Sequence, residues 1–146
     1  MLQRRALLRA VLAGLLGWVG YRPARSDERR AATRAVYHLC EAERVEFALA
    51  TIANHIGAVD EATYRLCVVV HGPALKMFRG QYPLVAVERS VHAAIDSGVA
   101  FYACTNTMAA EDITLDDLLP GFQATRDAAV AYLADLQAQG WAYLRP

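Results

Sequence analysis

YRLCVVVHGPAL, residues 64–75, is the stretch that decides the fold. Its first seven residues favour a strand, and the run Cys67-Val68-Val69-Val70 contains no polar member. Side chains of a strand alternate between two faces, so an unbroken apolar run is covered on both sides, as in a central strand of a parallel sheet with helices above and below. His71-Gly72-Pro73 then ends the run and turns the chain.

The flanking sequence follows the same pattern. Upstream, AVYHLC (35–40) reads as a strand and EAERVEFALATIANHIG (41–57) as a helix. Val45, Leu49, Ile52 and Ile56 form its apolar stripe, acids crowd the half that the helix dipole favours, and Gly57 stops it. Downstream, residues 83–97 are predicted as a helix with Leu84, Val87, Val91 and Ile95 on one face, and VAFYAC (99–104) as the third strand. TLDDLLPG (114–121) predicts a short helical turn capped at Thr114 and broken by Pro120-Gly121. A brief fourth strand over 122–126, a helix over 127–139 and a terminal strand WAYLR (141–145) complete the chain. The succession β-α-β-α-β-(α)-β-α-β with short connections predicts a layered α/β domain whose parallel strands are joined by right-handed crossovers.

At 146 residues the chain has room for one hydrophobic core, and 55% hydrophobic with 21% charged residues excludes intrinsic disorder. The formal net charge of zero argues against a nucleic-acid partner, but it averages two unlike segments. Residues 1–24 carry Arg4, Arg5, Arg9 and Arg22 and no acid, which leaves 11 basic against 15 acidic side chains from Arg25 onward, a net −4. The apolar stretch from Ala10 to Tyr21 is shorter than the about 20 residues that cross a bilayer. Arg4-Arg5 followed by Ala6, Leu7, Leu8 and Arg9 resembles a twin-arginine export signal. Residues 1–24 are therefore expected to be a signal or anchor segment, 25–33 a linker and 34–146 the domain. The expected location is the periplasm, or the inner membrane if the segment stays attached, because Arg22-Pro23-Ala24 offers no small-x-small cleavage site.

In parallel α/β sheets the chemistry collects beyond the carboxyl ends of the strands. Three such ends carry reactive side chains: Cys40, His71-Gly72, and Cys104-Thr105-Asn106-Thr107. Cys104 is the leading candidate, a strand-end thiol followed by small polar residues whose N–H groups favour a thiolate in a partly exposed loop. Cys67 sits in the apolar run and reads as core, and the acids beside Cys40 raise its thiol pKa. His71 is the histidine placed to exchange a proton with a neighbouring thiol. No histidine and cysteine stand at a recognised metal-binding spacing, so no metal is expected, and without GxGxxG or GxxxxGK[ST] no nucleotide or other cofactor. The absence of a CxxC pair disfavours a thioredoxin-like oxidoreductase, and the pairs Glu111-Asp112 and Asp116-Asp117 read as solvated surface.

Four strings together, VVVHGPALKMF (68–78), GVAFYACTNTM (98–108), DLLPGF (117–122) and LQAQGWAYLRP (136–146), are similar to the DsrE/DsrF-like family of small sulfur-relay proteins. The resemblance covers residues 34–146 and implies a three-layer α/β/α domain with a five-stranded, mainly parallel sheet, assembled as a homotrimer or hexamer. In relay members a cysteine after a central strand carries sulfur as a persulfide, and the matching position is Cys104. The implied activity is that of a sulfurtransferase-like carrier that takes sulfur from a donor protein and passes it to an acceptor by thiol exchange. Thr105, Asn106, Thr107 and Gly72 are then expected to line the sulfur site, with His71 handling the proton. The competing expectation is a non-catalytic oligomeric binding or assembly module of the same fold, with Cys104 merely buried.

Overall fold

The computed structural model describes residues 33–59, 63–81 and 84–146. The signal segment and most of the linker lie outside the described residues, whereas Thr33, expected in the linker, opens the first strand opposite Tyr64. Five strands, β1 (Thr33–Leu39), β2 (Tyr64–Val70), β3 (Ala100–Ala103), β4 (Phe122–Ala124) and β5 (Ala142–Leu144), form one sheet in the order β4-β3-β2-β1-β5. Every pairing is parallel, and the register sets His38 opposite Val69, Val70 opposite Ala103 and Val36 opposite both Cys67 and Tyr143. β2 lies in the middle, and its last five residues are all buried, as the apolar run predicted.

Crossover handedness distributes the helices. From β1 to β4 the chain steps across the sheet in one direction, so α1 (Val45–Ala58) and α2 (Val85–Asp96) pack on the same face. The return from β4 to β5 runs the other way and puts α4 (Ala129–Ala138) on the opposite face. The core divides accordingly. Ala35, Tyr37, Leu39, Leu66, Val68, Val70 and Phe101 face α1 and α2, while Val36, Cys67, Val69 and Cys104 face Ala129, Leu133 and Leu136 of α4. Phe78, Phe101 and Phe122 tile the first layer with ring centroids 5.3–6.4 Å apart. Fully burying side chains of this size stabilises by about 1.5–3 kcal/mol each before entropy is counted.

Several local expectations are corrected. α1 begins at Val45 behind a 3-10 turn at Ala42–Arg44, and Leu84, assigned to the buried face of the second helix, precedes it and is exposed. Val87, Val91 and Ala94 do the packing there. The turn after β2 is a 3-10 helix from Gly72 to Phe78, with Pro73 in its first turn, where the missing N–H costs nothing. A short helix, α3 (Thr105–Ala110), occupies the stretch read as a loop after Cys104. Asp117 keeps its expected place at the surface, where it accepts hydrogen bonds from the N–H and hydroxyl of Thr114, both at 2.8 Å, and closes a capping box.

Candidate functional site

Period-two alternation sends the chemistry to one face. Val36 and His38 of β1, Val69 with His71 just beyond β2, Tyr102 and Cys104 at the end of β3, and Tyr143 of β5 all project toward the α4 side. Because the strands are parallel, His38, Cys40, His71, Cys104 and Tyr143 also gather at the same carboxyl edge. Backbone bonds continue the ladder past the strand ends and fix these residues: His71 N–H donates to Leu39 C=O, Cys104 N–H to Val70 C=O and Thr125 N–H to Ala103 C=O, at 3.0, 2.9 and 2.9 Å.

Cys104 caps the amino end of α3, and its residue is only 4% exposed rather than partly open, because α3 and the start of α4 close over it. The N–H of Ala129 donates to Sγ at 3.3 Å. Burial alone pushes the thiol pKa up, but hydrogen bonds from the Thr107 and Ala129 N–H groups, the Thr107 hydroxyl and the Asn106 N–H outweigh it and hold the thiol below its ordinary value. Each expected lining residue has a distinct part. Thr107 helps to lower the thiol pKa, and its Oγ1 accepts the Gly72 N–H at 3.0 Å, tying the loop after β2 to the loop after β3. Gly72 has φ +57°, and its open side faces the Cys40 carbonyl. Asn106 contributes through its backbone. Thr105 acts one step back: its N–H donates to Thr125 Oγ1 and its hydroxyl to the Asp127 carbonyl, which braces the segment leading to Ala129.

The histidines assemble differently from expectation. His71 Nε2 lies 2.6 Å from His38 Nε2, so this ring atom is engaged by the other imidazole. His38 Nδ1 in turn lies 2.5 Å from the Tyr143 hydroxyl. Burial, the neighbouring His71 and the Arg145 charge push His38 down to about 4, Glu41 opposing them. Burial and Arg145 lower His71 in the same way. Both rings are therefore neutral near pH 7. Cys40 completes the group: His38, Cys40 and His71 offer donor atoms that all lie within 4.8 Å of one another. Arg145 Nη2 donates to Cys40 Sγ at 3.2 Å and forms an ion pair with Glu41. Burial, followed by Glu41, raises the Cys40 thiol, the direction expected from its acidic neighbours, and Arg145 works against it. Cys67, 2% exposed under α4, is pushed up to about 12 by burial, as a core thiol should be.

The sequence reading missed the partnership of His38 with His71 and Cys40. Its available signal was parity: once β1 and β2 are neighbours, His38 and Val69 share a face, and His71 lies two residues further along the same side.

The DsrE/DsrF-like family matches residues 35–146. Among solved structures the chain is similar to MTH1491 of Methanobacterium thermoautotrophicum, a protein of unknown function, with 28% identity and a TM-score of 0.69 over 78% of this chain and 99% of that one. The ychN protein of E. coli shares the fold at 15% identity, with a TM-score of 0.60 over 78% of this chain and 100% of that one. No curated protein matches the sequence. With a family match from β1 to the end of the sequence and a sheet shared with both solved structures, the chain belongs to the DsrE/DsrF-like family.

Proposed function

We propose that this protein is a sulfur carrier that holds a persulfide on Cys104. The observation that carries the reading is the set of donors converging on one sulfur, from Asn106, Thr107 and Ala129. Such donors favour the thiolate over the thiol, and the thiolate is both the nucleophile and a good leaving group in thiol exchange. In loading, the Cys104 thiolate attacks the outer sulfur of a donor persulfide. A new S–S bond forms, the donor's S–S bond breaks, and the donor departs as a thiolate that takes up a proton. In unloading, an acceptor thiolate attacks the outer sulfur of the Cys104 persulfide, and the Cys104 thiolate returns to its cradle. No net oxidant or reductant is consumed in either direction.

Because Cys104 is covered, both steps require α3 or the Ala128–Ala129 segment to move aside. The proton is exchanged with solvent, since His71 Nε2 is held by His38, and the loop that carries His71 contributes the Gly72 N–H that positions Thr107. The burial of Cys104 also favours the non-catalytic reading, and one measurement separates the two. Reduced full-length protein incubated with a low-molecular-weight persulfide should gain the mass of one sulfur atom at Cys104, and Cys104→Ser should abolish that gain. A chain that gains no sulfur, or gains it equally in Cys104→Ser, is the non-catalytic module.

A further inference from the structure

A second group of reactive side chains, His38, Cys40 and His71, adjoins Cys104, which stands beside His71 at the neighbouring strand end, but none of the three forms or breaks a bond in the transfer just described. It lies at the carboxyl edge of β1 and β2, with Tyr143 of β5 reaching it from the other side of β1. In open parallel sheets ligand sites collect beyond the carboxyl ends of the strands. We propose that His38 Nε2, His71 Nε2 and Cys40 Sγ form a binding site for one zinc-class transition-metal ion, with a fourth position open to water.

The donor set is the first argument. Two imidazoles and one thiolate suit Zn2+ and its borderline-soft neighbours, whereas hard cations require oxygen ligands. Orientation is the second. The Tyr143 hydroxyl lies 2.5 Å from His38 Nδ1, and when it accepts the Nδ1–H the Nε2 lone pair is left facing His71. Metal-bound histidines commonly have their other ring nitrogen fixed by an oxygen partner in this way. Reach is the third. Tetrahedral zinc with bonds of about 2.0–2.1 Å to nitrogen and 2.3 Å to sulfur needs N···N near 3.3 Å and N···S near 3.6 Å, both roughly computed. The two Nε2 atoms stand at 2.6 Å, and the whole donor set fits within 4.8 Å, so shifts on the order of 1 Å in His71 and Cys40 suffice. Both residues are half-buried and lie just beyond strand ends, where such shifts are least restrained.

Charge is the fourth argument. The Cys40 sulfur already has a cation against it, the Arg145 guanidinium at 3.2 Å, which is held there by Glu41. A metal would replace that cation. The Arg145 side chain is 48% exposed and borders an open pocket of about 230 Å³ lined by Glu41, Arg44 and Pro146, so it can swing into solvent as the ion arrives. On binding, the Cys40 thiol proton leaves to solvent and the proton between the imidazoles moves to His71 Nδ1, so both rings stay neutral with Nε2 free for the ion.

The test is titration of reduced, chelator-treated full-length protein with Co2+, a spectroscopic substitute for Zn2+. The wild type should saturate at one equivalent and develop the thiolate-to-cobalt charge-transfer band, with visible bands of tetrahedral intensity that one equivalent of Zn2+ removes. Cys40→Ser should lose the charge-transfer band, His71→Ala should weaken binding, and Tyr143→Phe should weaken it by about 10- to 100-fold. Cys104→Ser should leave the spectrum unchanged, and Arg145→Ala should tighten binding. Should Cys40→Ser not fold, judged by far-ultraviolet circular dichroism, Cys40→Ala takes its place. A wild-type spectrum without the charge-transfer band, or a band that survives loss of Cys40 or disappears with Cys104, overturns the site. Sulfur loading of Cys104 is measured separately, so the two readings can fail independently.

Discussion

Replacing Thr107 by valine keeps the shape of the side chain and removes one hydroxyl that serves two loops. That hydroxyl accepts the Gly72 N–H at 3.0 Å and favours the Cys104 thiolate, to which it can donate. A hydrogen bond to a charged group contributes about 1.5–3 kcal/mol net. At about 1.4 kcal/mol per decade, losing it lowers the thiolate-to-thiol ratio of Cys104 by roughly 10- to 150-fold at fixed pH. The backbone donors of Asn106, Thr107 and Ala129 remain, so the thiolate is weakened rather than abolished. The assay is the ultraviolet absorbance of the thiolate followed against pH, with the Cys104→Ser curve subtracted to remove Cys40, Cys67 and the tyrosines. It needs no reagent to reach a covered sulfur. Thr107→Val should titrate at higher pH than the wild type, while Thr107→Ser, which keeps the hydroxyl, should follow the wild type. Coincident curves for the wild type and Thr107→Val would refute the cradle as the cause of the lowered pKa.

The same cradle predicts a pH-dependent contribution to stability. The folded chain holds Cys104 as a thiolate at pH values where the unfolded chain, with a cysteine pKa of about 8.5, still binds the proton. The stability advantage over Cys104→Ser should therefore be full above the unfolded pKa and shrink as pH falls through the lowered folded value. Melting temperatures of the two proteins, compared from about pH 6 to about pH 9, read it out, and a pH-independent difference would show no linkage. Gly121 tests the packing of the connection into β4: its φ is +96°, and an added Cβ would come within 2.6 Å of Ile95 Cδ1. Gly121→Ala should cost about 1–3 kcal/mol in chemical denaturation, and an unchanged midpoint would show that this turn relaxes freely.

The features of the fold that depend on local pattern were legible in the sequence. The Cys67–Val70 run is buried because a central parallel strand has no solvent face, and the stripe Val45, Leu49, Ile52 places α1 on the sheet because a helix repeats every 3.6 residues. Cys104 stands at a strand end for the same kind of reason: an apolar strand followed by small polar residues has nowhere to continue. α3 was not legible. Thr105, Asn106 and Thr107 have little intrinsic preference for a helix, and what holds them in one is tertiary, the bonds to Thr125, Asp127 and Gly72.

The burial of Cys104 and the use of its neighbours were likewise decided by packing, since the amino end of α4 reaches the sulfur from residue 129. Above all, His38 and His71 are 33 residues apart, and Tyr143 lies 105 residues from His38. Sequence spacing along a single strand cannot reveal such a group. It exists because the return crossover sets β5 beside β1, and parallel register carries every strand end to the same edge. The sequence by itself determined the five strands, the three long helices and the parallel α/β class. Which side chains meet was left to strand order, because contact across a sheet depends on neighbours that the local chain does not encode.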